Sequence, residues 1–255
     1  MKKNLRYFIE QNIKYRPYFF AFIRPQEASL FYKTMPTMQH PVLDVGCGDG
    51  FFAKTVFGTR FVDVGLDVPT SRMQEAPKTK AYKKIITYDG VRMPFRANAF
   101  KTVVSNCVFE HIPHIEKSVA EMHRVLKPGG LLVTSVMCNS WNTNLAGGKK
   151  MGKGYIDWFN RVQDHNALLS KKQWTTLFKK TGFEIVESTD YLYQKAAQAT
   201  ELHHYTSLLS LFTYKLFGVW NLFPRASAQK VTAIETLIKN DTHSPSACFY
   251  VLRKK

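Results

Sequence analysis

Residues 42–50 read Val-Leu-Asp-Val-Gly-Cys-Gly-Asp-Gly. Val42, Leu43 and Val45 have the apolar, β-branched character of a buried parallel strand, and Asp44 interrupts that run. Three glycines follow at a spacing of two, and Phe51-Phe52-Ala53 then starts a helix-like stretch. A strand, a tight glycine turn and a helix start form a cradle for a nucleotide-like ligand. Glycine lets the backbone turn and leaves no Cβ between chain and ligand, while a helix start offers unpaired N–H groups. The spacing narrows the choice. A dinucleotide fingerprint needs G-x-G-x-x-G, and a phosphate loop needs a closing Lys-Ser/Thr. Here the pattern is G-x-G-x-G with an acid two residues ahead and neither of those features.

Moving outward, strand candidates are 60–66 ending at Asp67, 84–87 ending at Tyr88-Asp89-Gly90, 102–105, 131–136 and 183–186. Ile115, Val119, Met122 and Val125 recur at helical spacing, and Lys127-Pro128-Gly129-Gly130 reads as the stop of that helix. A second helix spans 171–181 and is closed by Gly182. Strands alternating with helices predict a doubly wound α/β sheet, whose ligands sit beyond the carboxyl ends of the strands.

The run Asp44–Gly50 resembles the first motif of the class I S-adenosylmethionine-dependent methyltransferases (the type 11-like group). Further stretches resemble the same family in order. Met93-Pro94-Phe95 with Phe100 resembles its "LPF…FD" stretch, with Lys101 where an acid is usual. Ser105–Ile112 resembles its "SN…LEH" motif, and Arg124–Gly130 its "RVLKPGG" turn. The likeness covers roughly residues 40–190 and the apolar stretch 247–252. It implies a Rossmann-like, mostly parallel seven-stranded sheet whose last strand is antiparallel, and S-adenosylmethionine as cofactor. It also implies the cofactor-binding residues. Asp44, Gly46, Cys47, Gly48 and Gly50 would meet the methionine moiety and Asp67 the ribose hydroxyls. Val68 would lie on the adenine, Asp89 would take its amine and Gly90 a ring nitrogen, and Asn106 would lie near the sulfonium. His111 and His165 are the candidate bases, each with an equally simple role in holding its loop.

The chain is 255 residues long with a formal net charge of +17, a balance that attracts polyanions such as nucleic acid or an anionic membrane. The residues after the fourth strand, Asn106-Cys107-Val108-Phe109, lack the prolines of base-amine methylating enzymes. That disfavours a nucleic-acid acceptor, though an RNA or other nucleic-acid methyltransferase stays as the alternative, as does a non-catalytic cofactor-binding protein at a membrane. Four dispersed cysteines with no C-x-x-C pair fit a reducing cytoplasm, and no ligand spacing predicts a metal. The Met-Lys-Lys start lacks the apolar run of a signal peptide.

The organisation expected is one methyltransferase domain over 1–255. It has a helical extension at 1–38, a cofactor-binding core at 39–189, a helical insertion or cap at 190–245 and a last strand at 246–255. The segment with Trp141, Tyr155, Trp158 and Phe159 reads as a lid or as a surface loop, with a flexible Gly147-Gly148-Lys149-Lys150 in its middle. Tyr205–Phe223 is rich in Leu, Phe, Tyr and Trp, with one lysine and no acid, and falls short of a spanning helix. It reads either as a cap packed on the apolar face Leu5, Phe8, Ile9 and Ile13 or as a peripheral contact with an anionic membrane. Both favour a small-molecule acceptor that is hydrophobic or lipid-like.

Overall fold

A computed structural model describes residues 3–255, the side chain of Leu208 excepted. In chain order the elements are α1 (Leu5–Tyr15), α2 (Phe20–Thr34), β1 (Val42–Val45), α3 (Phe51–Phe57), β2 (Val62–Asp67), α4 (Ala76–Thr79), β3 (Tyr82–Thr87), β4 (Phe100–Asn106) and α5 (Ile115–Val125). They continue as β5 (Leu126–Met137), α6 (Ser140–Asn144), α7 (Ala146–Met151), α8 (Lys153–Val162), α9 (Lys171–Lys180), β6 (Phe183–Tyr191), α10 (Gln194–Phe217), α11 (Ala228–Lys239) and β7 (Ala247–Lys254). These fall into two compact units.

The first unit comprises Phe31–Cys138, Arg161–Thr189 and Cys248–Lys255 and carries a seven-stranded sheet in the order β3-β2-β1-β4-β5-β7-β6. β1 to β5 run parallel, and the last strands are antiparallel. This is the doubly wound, Rossmann-like sheet that the alternating pattern predicts. All four residues of β1 are buried, as a central strand covered on both faces requires. Ile115, Val119, Met122 and Val125 of α5 are buried in the core with Leu43, Val103, Leu132 and Tyr250. The order reverses between β1 and β4, which opens a crevice beyond their carboxyl ends.

The stop after α5 differs from its expected form. Leu126 is already extended and pairs with Phe100, whereas Thr102 pairs with Leu131. Two steps along β4 thus face five along β5, so Lys127–Gly130 is a bulge inside the strand and not a turn before it.

The second unit gathers the stretch ending at Leu30 with Asn139–Asn160 and Asp190–Ala247. The apolar face of α1 is covered there: Ile9 and Ile13 share a cluster with Val231 and Ile234 of α11. Arg6 adds a 2.7 Å ion pair with Glu235. The segment after β5 is a run of short helices rather than a loop. Glu201, 3% exposed, accepts from Ala146 N at 2.6 Å, Gly147 N at 2.9 Å and the Tyr155 hydroxyl at 2.5 Å. A Cβ on Gly147 would lie 2.4 Å from the Tyr155 ring, so this glycine serves close packing and not flexibility. His203 stacks on Phe22 while His204 meets Phe19 and Phe159, two faces of one helix. Among the described residues no helix is long and apolar enough to cross a membrane.

Candidate active site

Beyond the carboxyl end of β1 the glycine run folds back on β2. Gly46 N and Cys47 N both donate to Leu66 O, at 2.8 and 3.2 Å. Gly46 and Gly48 hold φ of +76° and +50°, a region that favours glycine. A Cβ on Gly46 would lie 2.3 Å from Val108 Cγ2, which places the loop after β4 hard against this turn. A Cβ on Gly48 would enter open space. The bare backbone there is therefore not explained by protein packing and suits the close approach of a ligand. Gly50 precedes α3, and Asp49 Oδ1 takes Phe51 N while Asp49 Oδ2 takes Arg72 Nη2 at 2.6 Å. Cys47 is buried, and burial together with Asp44 and Asp67 pushes its thiol up, so it stays protonated.

Asp67, at the end of β2, is the centre of the arrangement. Its Oδ2 accepts from Gly48 N at 2.6 Å and its Oδ1 from Val68 N at 2.8 Å. The Ser71 hydroxyl is a third donor to this carboxylate, whose remaining acceptor capacity is of the kind a ribose hydroxyl needs. Burial raises its pKa, and the two backbone donors together with the Ser71 hydroxyl oppose that rise. Asp44, inside β1, is buried as well. Burial pushes its carboxyl up to about 7, the Tyr82 hydroxyl at 2.7 Å pulls it back, and Asp67 adds to the rise.

Val68 and Gly90 adjoin: a Cβ on Gly90 would sit 3.3 Å from Val68 Cγ1. Tyr88 N donates to Asp67 O, which ties the end of β3 to that of β2. Asp89 is exposed, and its Oδ1 holds the turn through Val91 N and Arg92 N, donors that lower its pKa. Asn106 ends β4, and its Oδ1 accepts from Ser135 Oγ at 2.6 Å. The next residue, Cys107, is a non-glycine residue at φ +50°.

The two candidate histidines come together, their ring centroids 5.4 Å apart. His111 Nδ1 lies 2.9 Å from Asp164 O. A carbonyl only accepts, so Nδ1 carries the proton and Nε2 of a neutral ring is left as an acceptor. Asn166 closes the loop by donating to His111 O, and its backbone N–H donates to Glu110 O. Burial, with His111 beside it, pushes His165 down to about 3, so its ring is neutral at pH 7. Residues that sequence reasoning missed are Tyr82, Ser135, Arg72 and Asp49. Asp49 alone had a readable signal, an acid two residues before a helix start.

Residues 43–134 match the model of the methyltransferase-domain family. This segment is a class I S-adenosylmethionine-dependent methyltransferase domain. The methyltransferase domain is 37% identical over 95 residues to an uncharacterized methyltransferase of Mycobacterium sp. (strain JLS), covering 37% of each chain. A sterol 24-C-methyltransferase of Pneumocystis carinii (strain B80) is 32% identical over 165 residues, 58% of this chain and 41% of that one. The chain thus spans well under half the length of these curated relatives. Among solved structures, a putative sarcosine dimethylglycine methyltransferase from Galdieria sulphuraria superimposes with a TM-score of 0.59 at 18% identity, covering 91% of this chain and 87% of that one. That likeness shows the fold. Among the described residues no group of three His, Cys, Asp or Glu side chains is placed to hold a metal.

Proposed function

We propose that this protein binds S-adenosylmethionine at the carboxyl ends of β1 to β4 and transfers its methyl to a small, hydrophobic or lipid-like acceptor. The observation that carries the reading is the Asp67 carboxylate, both of whose oxygens are aimed by backbone N–H groups of Gly48 and Val68. It joins the bare glycine turn to a diol acceptor in one rigid unit. Asp67 would hold the ribose, Val68 and Gly90 an adenine face, with Asp89 at its edge, and Gly46 to Gly50 with Asp44 the amino-acid end. Asn106 would lie at the reacting end.

When bound, S-adenosylmethionine supplies a methyl on a positively charged sulfur. The protein need only bring an acceptor to near-attack distance and keep water out. Where the acceptor atom still bears a proton, His111 Nε2 is the base, because Asp164 O fixes its tautomer and His165 stays neutral beside it. A hydrophobic acceptor is supported by the sterol acceptor in the name of one relative and by the apolar, aromatic segments at 1–38 and 190–245.

Calorimetric titration with S-adenosylmethionine tests the cofactor half: binding is expected, at least tenfold weaker in Asp67→Ala. Transfer of labelled methyl into lipid, small-molecule, protein and RNA fractions of a host extract tests the acceptor half. Label confined to RNA or protein would overturn it.

A further inference from the structure

We infer that the second half of α10 and the turn after it, residues 209–223, form an anchor that inserts shallowly into an anionic lipid bilayer. This does not rest on the methyl-transfer reading.

Leu202, Tyr205, Leu209, Phe212 and Leu216 recur at steps of three and four, so they line one face of α10. They are 64%, 43%, 75%, 61% and 58% exposed. The stripe runs for about 21 Å at 1.5 Å per residue. Near its end the helix is apolar on other sides too, with Leu211 and Phe217 41% and 60% exposed, and Phe223 in the following turn reaches 82%. A helix end that exposes large apolar side chains on several sides, with Lys215 its one charge, belongs against a protein core or in hydrocarbon. A single partner helix would cover only one stripe of it.

The tip is firmly held. Asn221 Nδ2 lies within hydrogen-bonding distance of three carbonyls at the end of α1: Ile13 O at 2.8 Å, Lys14 O at 3.2 Å and Arg16 O at 2.9 Å. Thr213 Oγ1 donates to Trp220 O, and the rings of Tyr214 and Trp220 stack at 4.2 Å. Leu222 and Phe223 are therefore presented on a fixed turn tied to the end of α1, where Tyr15 is half-exposed.

Charge selects the occupant. From Leu202 to Ile234 the chain has Lys215, Arg225 and Lys230 and no acid. The acids on the neighbouring helices are already paired, Glu10 with Lys14 and Glu235 with Arg6 and Lys239. A second copy would bring another +17 against this face, whereas an anionic leaflet attracts each base by about 1 kcal/mol. Exposed Tyr205, Tyr15 and the flanking bases have the composition of an interfacial border. No described helix is long and apolar enough to cross, so the tip dips into the surface and does not span it.

The test is co-sedimentation of the full chain with phosphatidylcholine vesicles, with and without phosphatidylglycerol. Partition onto the anionic vesicles is expected, falling with added salt, and about tenfold weaker or more in Phe223→Glu and Phe212→Glu. Lys215→Glu and Arg225→Glu lose less, and their loss fades at high salt. An unchanged thermal midpoint verifies that these surface variants fold. Asp67→Ala should partition like the parent protein, which separates a failed anchor from a failed cofactor site. The inference is overturned if the parent protein stays in the supernatant with both vesicles, or if Phe223→Glu partitions unchanged. It is equally overturned if gel filtration shows a dimer that Phe223→Glu dissociates, because a second copy then covers the face.

Discussion

The Tyr82 hydroxyl donates a 2.7 Å hydrogen bond to Asp44 Oδ2, reaching from the start of β3 past β2 to the centre of β1. Gly65 makes the reach possible. It pairs with Asp44 in the sheet, and a Cβ on it would lie 3.0 Å from the Tyr82 ring. Gly65→Val should therefore displace Tyr82 and leave Asp44 buried without its donor. We expect a stability loss of about 1–3 kcal/mol in denaturant titration and weaker binding of S-adenosylmethionine. Tyr82→Phe should reproduce both effects without the added bulk.

Asp44 also sets a pH dependence. Its folded pKa, raised to about 7 by burial, lies above the ordinary value of 3.8 for an exposed aspartate. Between these values the folded state holds a proton that the unfolded chain releases. The stabilising contribution is thus fully present below about pH 4 and is lost as pH rises through 7. Asp44→Asn should be more stable than the parent by about 2–4 kcal/mol at pH 8, with the gap closing toward pH 4. Urea titrations across that range check the sign.

Gly46 is held by two constraints that can be separated. Gly46→Ala places a methyl 2.3 Å from Val108 Cγ2 at a φ of +76°. Adding Val108→Ala removes the clash but not the backbone strain. The single variant is expected to lose about 1–3 kcal/mol of stability and the double variant to recover only part of it. A double-mutant cycle read by thermal unfolding measures the share.

His111 and His165 divide in kinetics. His111→Ala should lower kcat by a factor of about 10²–10⁴ with the cofactor Kd unchanged, if the acceptor enters protonated. His165, held near 3, contributes no titration step above pH 5. His165→Gln should leave the shape of the pH–rate profile intact, a result that a rate measured from pH 5 to 9 decides.

Glu201 holds the start of α7 through two backbone donors and α8 through the Tyr155 hydroxyl. Glu201→Ala leaves Ala146 N, Gly147 N and the Tyr155 hydroxyl without that acceptor, at an expected cost of about 2–4 kcal/mol. Cleavage by trypsin at Lys149, Lys150 and Lys153 should quicken accordingly, which a time course on gels reads directly.

What the sequence disclosed and what it hid divide along a physical line. Asp44 to Gly50, Asp67 and the α5 face were legible because strand, turn and helix periodicities are local. The Tyr82–Asp44 bond was not, since it depends on a missing side chain at Gly65 in the strand between. Gly147-Gly148 looked flexible because a glycine pair carries no sign of what packs on it, here Tyr155, Ile156 and Glu201. The bulge at Lys127–Gly130 likewise depends on register with β4, which no single segment encodes.

The cluster of Ile9 and Ile13 with Val231 and Ile234 sets a timetable for biosynthesis. At about 5–20 residues per second, the 222 residues from Ile9 to Val231 take roughly 10–45 s to emerge from the ribosome. Throughout that interval α1 has its apolar face without its final cover. Nascent chains of this protein therefore have a long window of dependence on chaperones, which closes only when α11 is made.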